Sequence, residues 1–174
     1  AADVTFRWIS GDERVGFSAP LQRVKHRCRA GIVCLAKLHD AIGRSDLIIE
    51  KSRDMGATWM VDAICFQRWI FKDYQAFLFV SRKEEYVDKT GDPKTLFWKL
   101  DFLLRYLPSF LRPNSYTRMN LHLGNDVNHS TIDGESTNGN VGAGGRNTAI
   151  FLDEFAACPE QKRILSASAD TSPC

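Results

Sequence analysis

Two short stretches hold residue types suited to handling a polyphosphate. The first, EKSRDMGATWM (50–60), follows the apolar run Leu47–Ile48–Ile49 and opens onto a helix-like pattern. A phosphate loop between a strand and a helix has the form G-x-x-x-x-G-K-S/T. Its backbone amides and the helix N-terminus cradle phosphate oxygens, its lysine neutralises them, and its hydroxyl reaches Mg²⁺. With Gly56 and Thr58 placed on the second glycine and the hydroxyl, Ala57 stands where the lysine belongs. Lys51 then falls on the first glycine. The loop has lost one lysine and gained another at its opposite rim, with Arg53 as a second cation inside it. The competing reading is a helix-entry turn in which Lys51 and Arg53 are exposed charges and Gly56 eases the bend.

The second stretch is AIFLDE (149–154), four residues of a buried strand ending in two acids. Asp153 at the C-terminal end of such a strand suits a water-mediated Mg²⁺ contact, and Glu154 suits polarising an attacking water. Ligands of open parallel sheets bind beyond the C-terminal strand ends, which is where the loop after 46–52 would also lie. The plainer reading of Asp153–Glu154 is a cap on the helix that follows.

The surrounding pattern supplies elements to position both. Apolar spacing at Ile32, Leu35, Leu38 and Ile42 predicts a helix within 27–43, ending at Gly43. DLIIEKS (46–52) and QAFLFVS (75–81) read as buried strands, separated by a helix from Gly56 through MVDAICFQRWIF. PKTLFWKLDFLLRYLPSFLRP (93–113) reads as a helix that starts near Pro93 and stops at Pro108. SYTRMNLHLG (115–124) and NHSTIDGES (128–136) read as two strands joined by a turn at Gly124–Asn125–Asp126. NGNVGAGGR (138–146) is a glycine-rich connector or lid, and PEQKRILSASADT (159–171) a helix. Strands alternating with helices predict an α/β fold with a mainly parallel central sheet.

Composition sets the bounds. Apolar residues make up 44% and charged residues 25%, so disorder is excluded, and a net charge of +2 gives no strong general pull toward nucleic acid. The basic cluster QRVKHRCR (22–29) reads most simply as a solvated helix face. The five cysteines are odd in number and scattered, with no metal-ligand spacing, which points to a reducing, intracellular setting. No apolar run reaches the roughly 18 residues of a membrane span, and the first residues lack a signal-peptide pattern. A soluble protein is expected.

KSRDMGAT, then FLFVSRKEEYVDKTGDPKTLFWKL, then GRNTAIFLDEFA together resemble the ATPase domain of the large terminase subunit of tailed bacteriophages. That subunit is the motor that drives genome DNA into the empty capsid. The resemblance spans roughly residues 46–158, and some members of the family carry a loop with the lysine displaced to its beginning. It implies an ASCE-type P-loop NTPase fold, a three-layer sandwich, with ATP and Mg²⁺ bound. Residues Lys51, Ser52, Arg53, Asp54, Met55, Gly56, Ala57 and Thr58 would bind nucleotide. Thr58 and Asp153 would hold the metal, and Glu154 would be the catalytic carboxylate. Arg53 would assist catalysis. Arg146 would be the arginine lent to a neighbouring subunit, unless it is a solvated loop residue. Gln22 is the candidate for recognising adenine.

The implied partners are double-stranded DNA, the small terminase subunit and the portal protein, in a homo-oligomeric ring in the cytoplasm of an infected or lysogenic bacterial host. Arg118, His122, Lys89 and Lys94 are candidates for DNA contact. The chain divides into a helical lead-in (1–45) and an ATPase core (46–174) that is incomplete, since no later coupling strand or nuclease domain follows. Two alternatives share these residues. One is a terminase remnant that binds nucleotide or a partner without turnover, favoured by Ala57. The other is a helicase- or AAA-type ATPase unrelated to packaging.

Overall fold

The computed structural model describes residues 5–9, 30–44, 46–50, 56–137, 141, 145–158 and 161–164. The chain forms two compact units, one reaching to Val61 and the other spanning Asp62–Pro173.

In the first unit, β1 (Thr5–Ile9) pairs antiparallel with β2 (Asp46–Glu50), Thr5 opposite Glu50 and Ile9 opposite Asp46. The lead-in is therefore not wholly helical: TFRWI is built from β-branched and aromatic types that favour a strand. Helix α1 (Ala30–Ala41) follows the predicted spacing and stops before Gly43, whose φ of +77° suits a helix-ending glycine. β2 differs from expectation in two respects. It sits in a two-stranded sheet, separate from the larger one, and Ile48 is 45% exposed. A two-stranded sheet on its own covers its strands only in part, which agrees with the exposure of Ile48.

Helix α2 (Ala57–Phe71) begins at Gly56, with φ +70°, and continues into the second unit. That unit is built on a five-stranded sheet of order β4-β5-β6-β3-β7. Its strands are β3 (Ala76–Ser81), β4 (Tyr116–Met119), β5 (His122–Asn125), β6 (Ser130–Ser136) and β7 (Ala149–Leu152). β3 runs parallel to both β6 and β7, while β4–β5 and β5–β6 are antiparallel. The fold is α/β as expected, but the sheet is mixed rather than mainly parallel. Connection length is the reason. Asn120–Leu121 joins β4 to β5 and 126–129 joins β5 to β6, both far too short for a parallel crossover. Leu121 adopts φ +55°, held there by its amide donating to Asp88 Oδ2 (2.9 Å) and its carbonyl accepting from Gly134 (2.8 Å).

Besides a helical stretch at 161–164, two further helices belong to this unit. α3 (Glu84–Val87) is a single turn, and α4 (Leu96–Tyr106) begins at Thr95, whose hydroxyl accepts from the Trp98 amide at 3.3 Å. α4 ends at Leu107, before Pro108, as the sequence predicts. On one face of the sheet, Phe79 is wholly buried against Phe97 of α4 and Phe151 of β7, in edge-to-face contacts of 6.4 and 5.6 Å. The alternate residues Leu78, Val80, Ile150 and Leu152 pack with Val141, Phe155, Cys158 and Ile164. Val141, in the middle of the glycine-rich stretch, is thus a core residue. Gly134 is required for this packing, because a Cβ there would lie 2.7 Å from Val87 Cγ1 and 2.9 Å from Phe97 Cε2.

Candidate functional site

The C-terminal ends of β3 and β7 lie side by side, and the sequence places polar residues at both. The Asp153 amide donates to the Val80 carbonyl at 2.9 Å, extending the ladder one step past β7. Glu154 then takes a left-handed conformation (φ 52°, ψ 32°), which turns its carboxylate toward the end of β3. There Arg82 Nε lies 3.4 Å from Glu154 Oε2. Arg82 itself stacks 4.8 Å from the Tyr86 ring centroid and donates to the Tyr86 hydroxyl at 3.3 Å. A non-glycine residue in this backbone region costs about 1–3 kcal/mol, and such strain gathers at functional sites. Glu154 precedes the 3₁₀ turn Phe155–Ala157 but makes no side-chain capping bond to it. Beside this edge opens a shallow depression lined by three cations (Arg82, Lys83, Lys89), three carboxylates (Glu84, Glu85, Asp88) and Ser136.

The same unit also buries a carboxylate and an ammonium. Asp62, on α2, is wholly buried, and among the described residues neither of its carboxylate oxygens has a hydrogen-bond partner. Burial raises its pKa well above the usual carboxylate range. The Lys99 charge opposes that shift and Asp153 adds to it. Lys99, on α4, donates from Nζ to the carbonyls of Lys94 (3.0 Å) and Thr95 (2.9 Å). Burial lowers its pKa, while Asp62, Asp153 and Asp92 pull it back up. Burial also pushes the Cys65 thiol up, with Asp62 adding to the effect, so Cys65 is an inert core residue as its position in an apolar helix implied.

Of the residues singled out in the sequence, Asp153 and Glu154 stand together with Arg82, Asp62 and Lys99 in the second unit. Gly56 and Ala57 begin α2, and Thr58 lies one turn before Asp62 on the same helix. The first amides of a helix of 15 residues have no intrahelical acceptors, and Gly56 leaves open space where a Cβ would stand. Lys51, Ser52, Arg53, Asp54, Met55 and Gln22 lie outside the described residues. Arg146 is exposed. Among the described residues there is no group of three or more His, Cys, Asp or Glu side chains that could hold a metal alone, and no helix is long and apolar enough to cross a membrane.

Two of the residues proposed for DNA contact are otherwise engaged. Arg118 forks onto Asp101 (2.9 and 3.1 Å) and Asp88 (2.9 and 3.0 Å), donates to the Met119 carbonyl and stacks on Phe97. Burial works against its charge, but the hydrogen bonds to Asp101 and Asp88 outweigh it and raise its pKa further. His122 Nδ1 is 2.6 Å from Asp133 Oδ1, a cross-strand pair. Lys89 and Lys94 remain exposed.

Three residues of the site escaped sequence reasoning, and each left a trace. Asp62 interrupts the apolar helix stretch MVDAICF, Lys99 stands between Leu96 and Leu100 on the inward stripe of α4, and Arg82 directly follows a buried strand. A lone charge on a core-facing stripe is rarely buried without a counter-charge, so Asp62 and Lys99 were open to being paired. Compared with protein-family models and with curated proteins, the chain has no match.

Proposed function

We propose that the chain is an ATP-hydrolysing motor domain of the terminase large-subunit type, working on double-stranded DNA. The observation that carries this reading is the acid pair Asp153–Glu154 at the C-terminal end of β7, a strand parallel to its neighbour β3, with Glu154 turned onto Arg82 at 3.4 Å. Supporting it is Gly56 with its positive φ, opening a 15-residue helix whose first amides face no intrahelical acceptor.

Oxygen donors of the Thr58 and Asp153 kind suit Mg²⁺. When bound, the ion would neutralise charge developing on the transferred phosphoryl group. Glu154 orients the attacking water and accepts its proton, and Lys51 and Arg53 hold the phosphates from the loop rim. Arg146 of a neighbouring copy stabilises the transition state in a ring of subunits. DNA is held through its backbone phosphates and is therefore released by salt. The small terminase subunit and the portal are the protein partners, in the cytoplasm of the bacterial host.

A second reading, a terminase-like module that binds nucleotide or a partner without turnover, is favoured by one observation. β2, the strand leading into the loop, belongs to a two-stranded antiparallel sheet rather than to the sheet of β3 and β7. Phosphate release separates the two. Glu154→Gln should lower the rate about 10²–10⁴-fold with ATP binding retained; equal rates for wild type and variant would favour the binding module. Lys51→Ala should weaken ATP binding by about 1.5–3 kcal/mol, read by calorimetry, if the displaced lysine meets a phosphate.

A further inference from the structure

Helix α4 has two sides of different character. Leu96, Leu100 and Leu104 line its buried side. Trp98, Phe102, Arg105 and Tyr106 recur at i, i+4, i+7 and i+8 and so share the opposite side. The three rings form a row: Trp98 stacks on Phe102 at 5.5 Å between centroids, and Phe102 meets Tyr106 at 4.6 Å with a tilt of 44°. Exposure rises along the row, from a half-buried Trp98 to Tyr106 at 69%, and continues past Pro108 to Phe110 at 83%. A contiguous strip of exposed apolar groups marks an interaction surface. Arg112 folds back to the same end of α4, where its Nη2 donates to the carbonyls of Arg105 (3.2 Å) and Leu107 (3.5 Å). Arg105 and Arg112 are both exposed, and among the described residues neither is in an ion pair. Asp101, the one acid of α4, is engaged by Arg118, and the chain has no further acid until Asp126.

We propose that this strip, the outward side of α4 and the turn after it, binds single-stranded DNA. Unpaired bases stack on the exposed rings, and Arg105 and Arg112 hold the phosphates between them. The composition of the strip selects this occupant. Its most exposed large apolar side chains are Phe102, Tyr106 and Phe110, all rings, while the intervening Leu103, Leu107 and Leu111 are more covered. An apolar protein partner is served as well by leucine, whereas a base stacks on a flat π face. The unmatched positive charge of the two arginines suits a phosphodiester backbone. A duplex keeps its base faces inside, so only the arginines would engage it. Between Trp98 and Arg112 the uncharged hydroxyl side chains are Tyr106 and Ser109 alone, which leaves little to read a ribose 2′-hydroxyl and assigns DNA rather than RNA. The inference uses no residue of the nucleotide site and holds whether or not the chain hydrolyses ATP.

The test is the fluorescence anisotropy of a labelled oligothymidylate of about 15 nucleotides, titrated with the full chain at low salt. Saturable binding is expected below about 100 μM, and about tenfold tighter than to a blunt duplex of the same length. Tyr106→Ala and Phe110→Ala should each weaken it about tenfold, while Tyr106→Phe should bind as the wild type does, because the ring and not the hydroxyl makes the contact. Arg105→Gln should weaken binding and flatten its salt dependence by about one phosphate contact. These side chains are exposed, so the variants keep the fold, which circular dichroism checks. No saturable binding, a duplex bound as tightly as the single strand, or both ring variants binding as the wild type would overturn the proposal. So would an oligouridylate bound about tenfold more tightly than the oligothymidylate. Sedimentation of the same proteins tests a protein occupant. A wild type that self-associates, becomes monomeric in Tyr106→Ala and binds no oligonucleotide would overturn the proposal and give the strip to a second copy of the chain.

Discussion

The second unit holds two clusters of opposite charges, and they are finished to different degrees. Around Arg118 every partner is in place: Asp88 and Asp101 each accept two hydrogen bonds, Asp88 also caps the Leu121 amide, and Phe97 lies under the guanidinium. Around Lys99 the lysine is pinned to the main chain, while Asp62 lacks a hydrogen bond on either oxygen. A saturated network is a fastener: it fixes the β4–β5 hairpin against α3 and α4 and has nothing left for a ligand. An unsaturated one is uncommon in a folded protein and costs stability. Similar charges are therefore matched in one place and left partly uncompensated in the other.

Breaking the saturated cluster should have the larger effect on stability. Arg118→Met leaves two carboxylates facing each other with no cation, and should lower unfolding free energy by about 3–5 kcal/mol in a denaturant titration, with ATP and Mn²⁺ binding of the remaining folded protein unchanged. A loss of ligand binding out of proportion to the loss of fold would erase the contrast between the clusters. The unsaturated cluster should respond in the opposite sense. Asp62→Asn replaces a carboxylate whose ionisation is opposed by burial, and should raise stability by about 1–2 kcal/mol at pH 7. Its dependence on pH is a sharper check. The folded pKa of Asp62 is raised, so the native state binds more protons than the unfolded state above the ordinary carboxylate pKa. Asp62 therefore costs wild-type stability as pH rises through that window, and the advantage of Asp62→Asn should be greatest at neutral pH and vanish on acidification. Smallest of all should be Asp101→Asn, below about 1 kcal/mol, because Asp101 is the solvent-facing partner of Arg118, 43% exposed against 7% for Asp88.

How much of this was legible depends on the kind of signal each region carries. α2, β3, α4 and β7 are long or continuous in their apolar patterns, so their place in the chain could be read directly, and the acid pair after β7 stood out because two acids ended a hydrophobic run. The β4–β5 hairpin was taken for one strand because its turn has no glycine. Leu121 takes the positive φ there only because Asp88 and Gly134, distant in sequence, hold it. For the same reason Arg118 passed for a surface cation: both its carboxylate partners come from other elements. The mixed sheet follows from that hidden hairpin. The pairing of β1 with β2 was equally out of reach, since strands 37 positions apart at the Ile9–Asp46 match announce no register to each other.

The turn between β5 and β6 receives the far end of α2. Asn125 donates to the Trp69 carbonyl at 2.9 Å, and Asn128 donates to Trp69 and Ile70 at 2.9 and 3.1 Å. Ser130 adds a bond to the Lys72 carbonyl at 2.7 Å. Main-chain oxygens that a helix terminus ordinarily offers to water are here gripped by three side chains from one corner of the sheet. Sliding α2 along its own axis would sever all of them together, so this one corner sets the register of the helix end against the sheet.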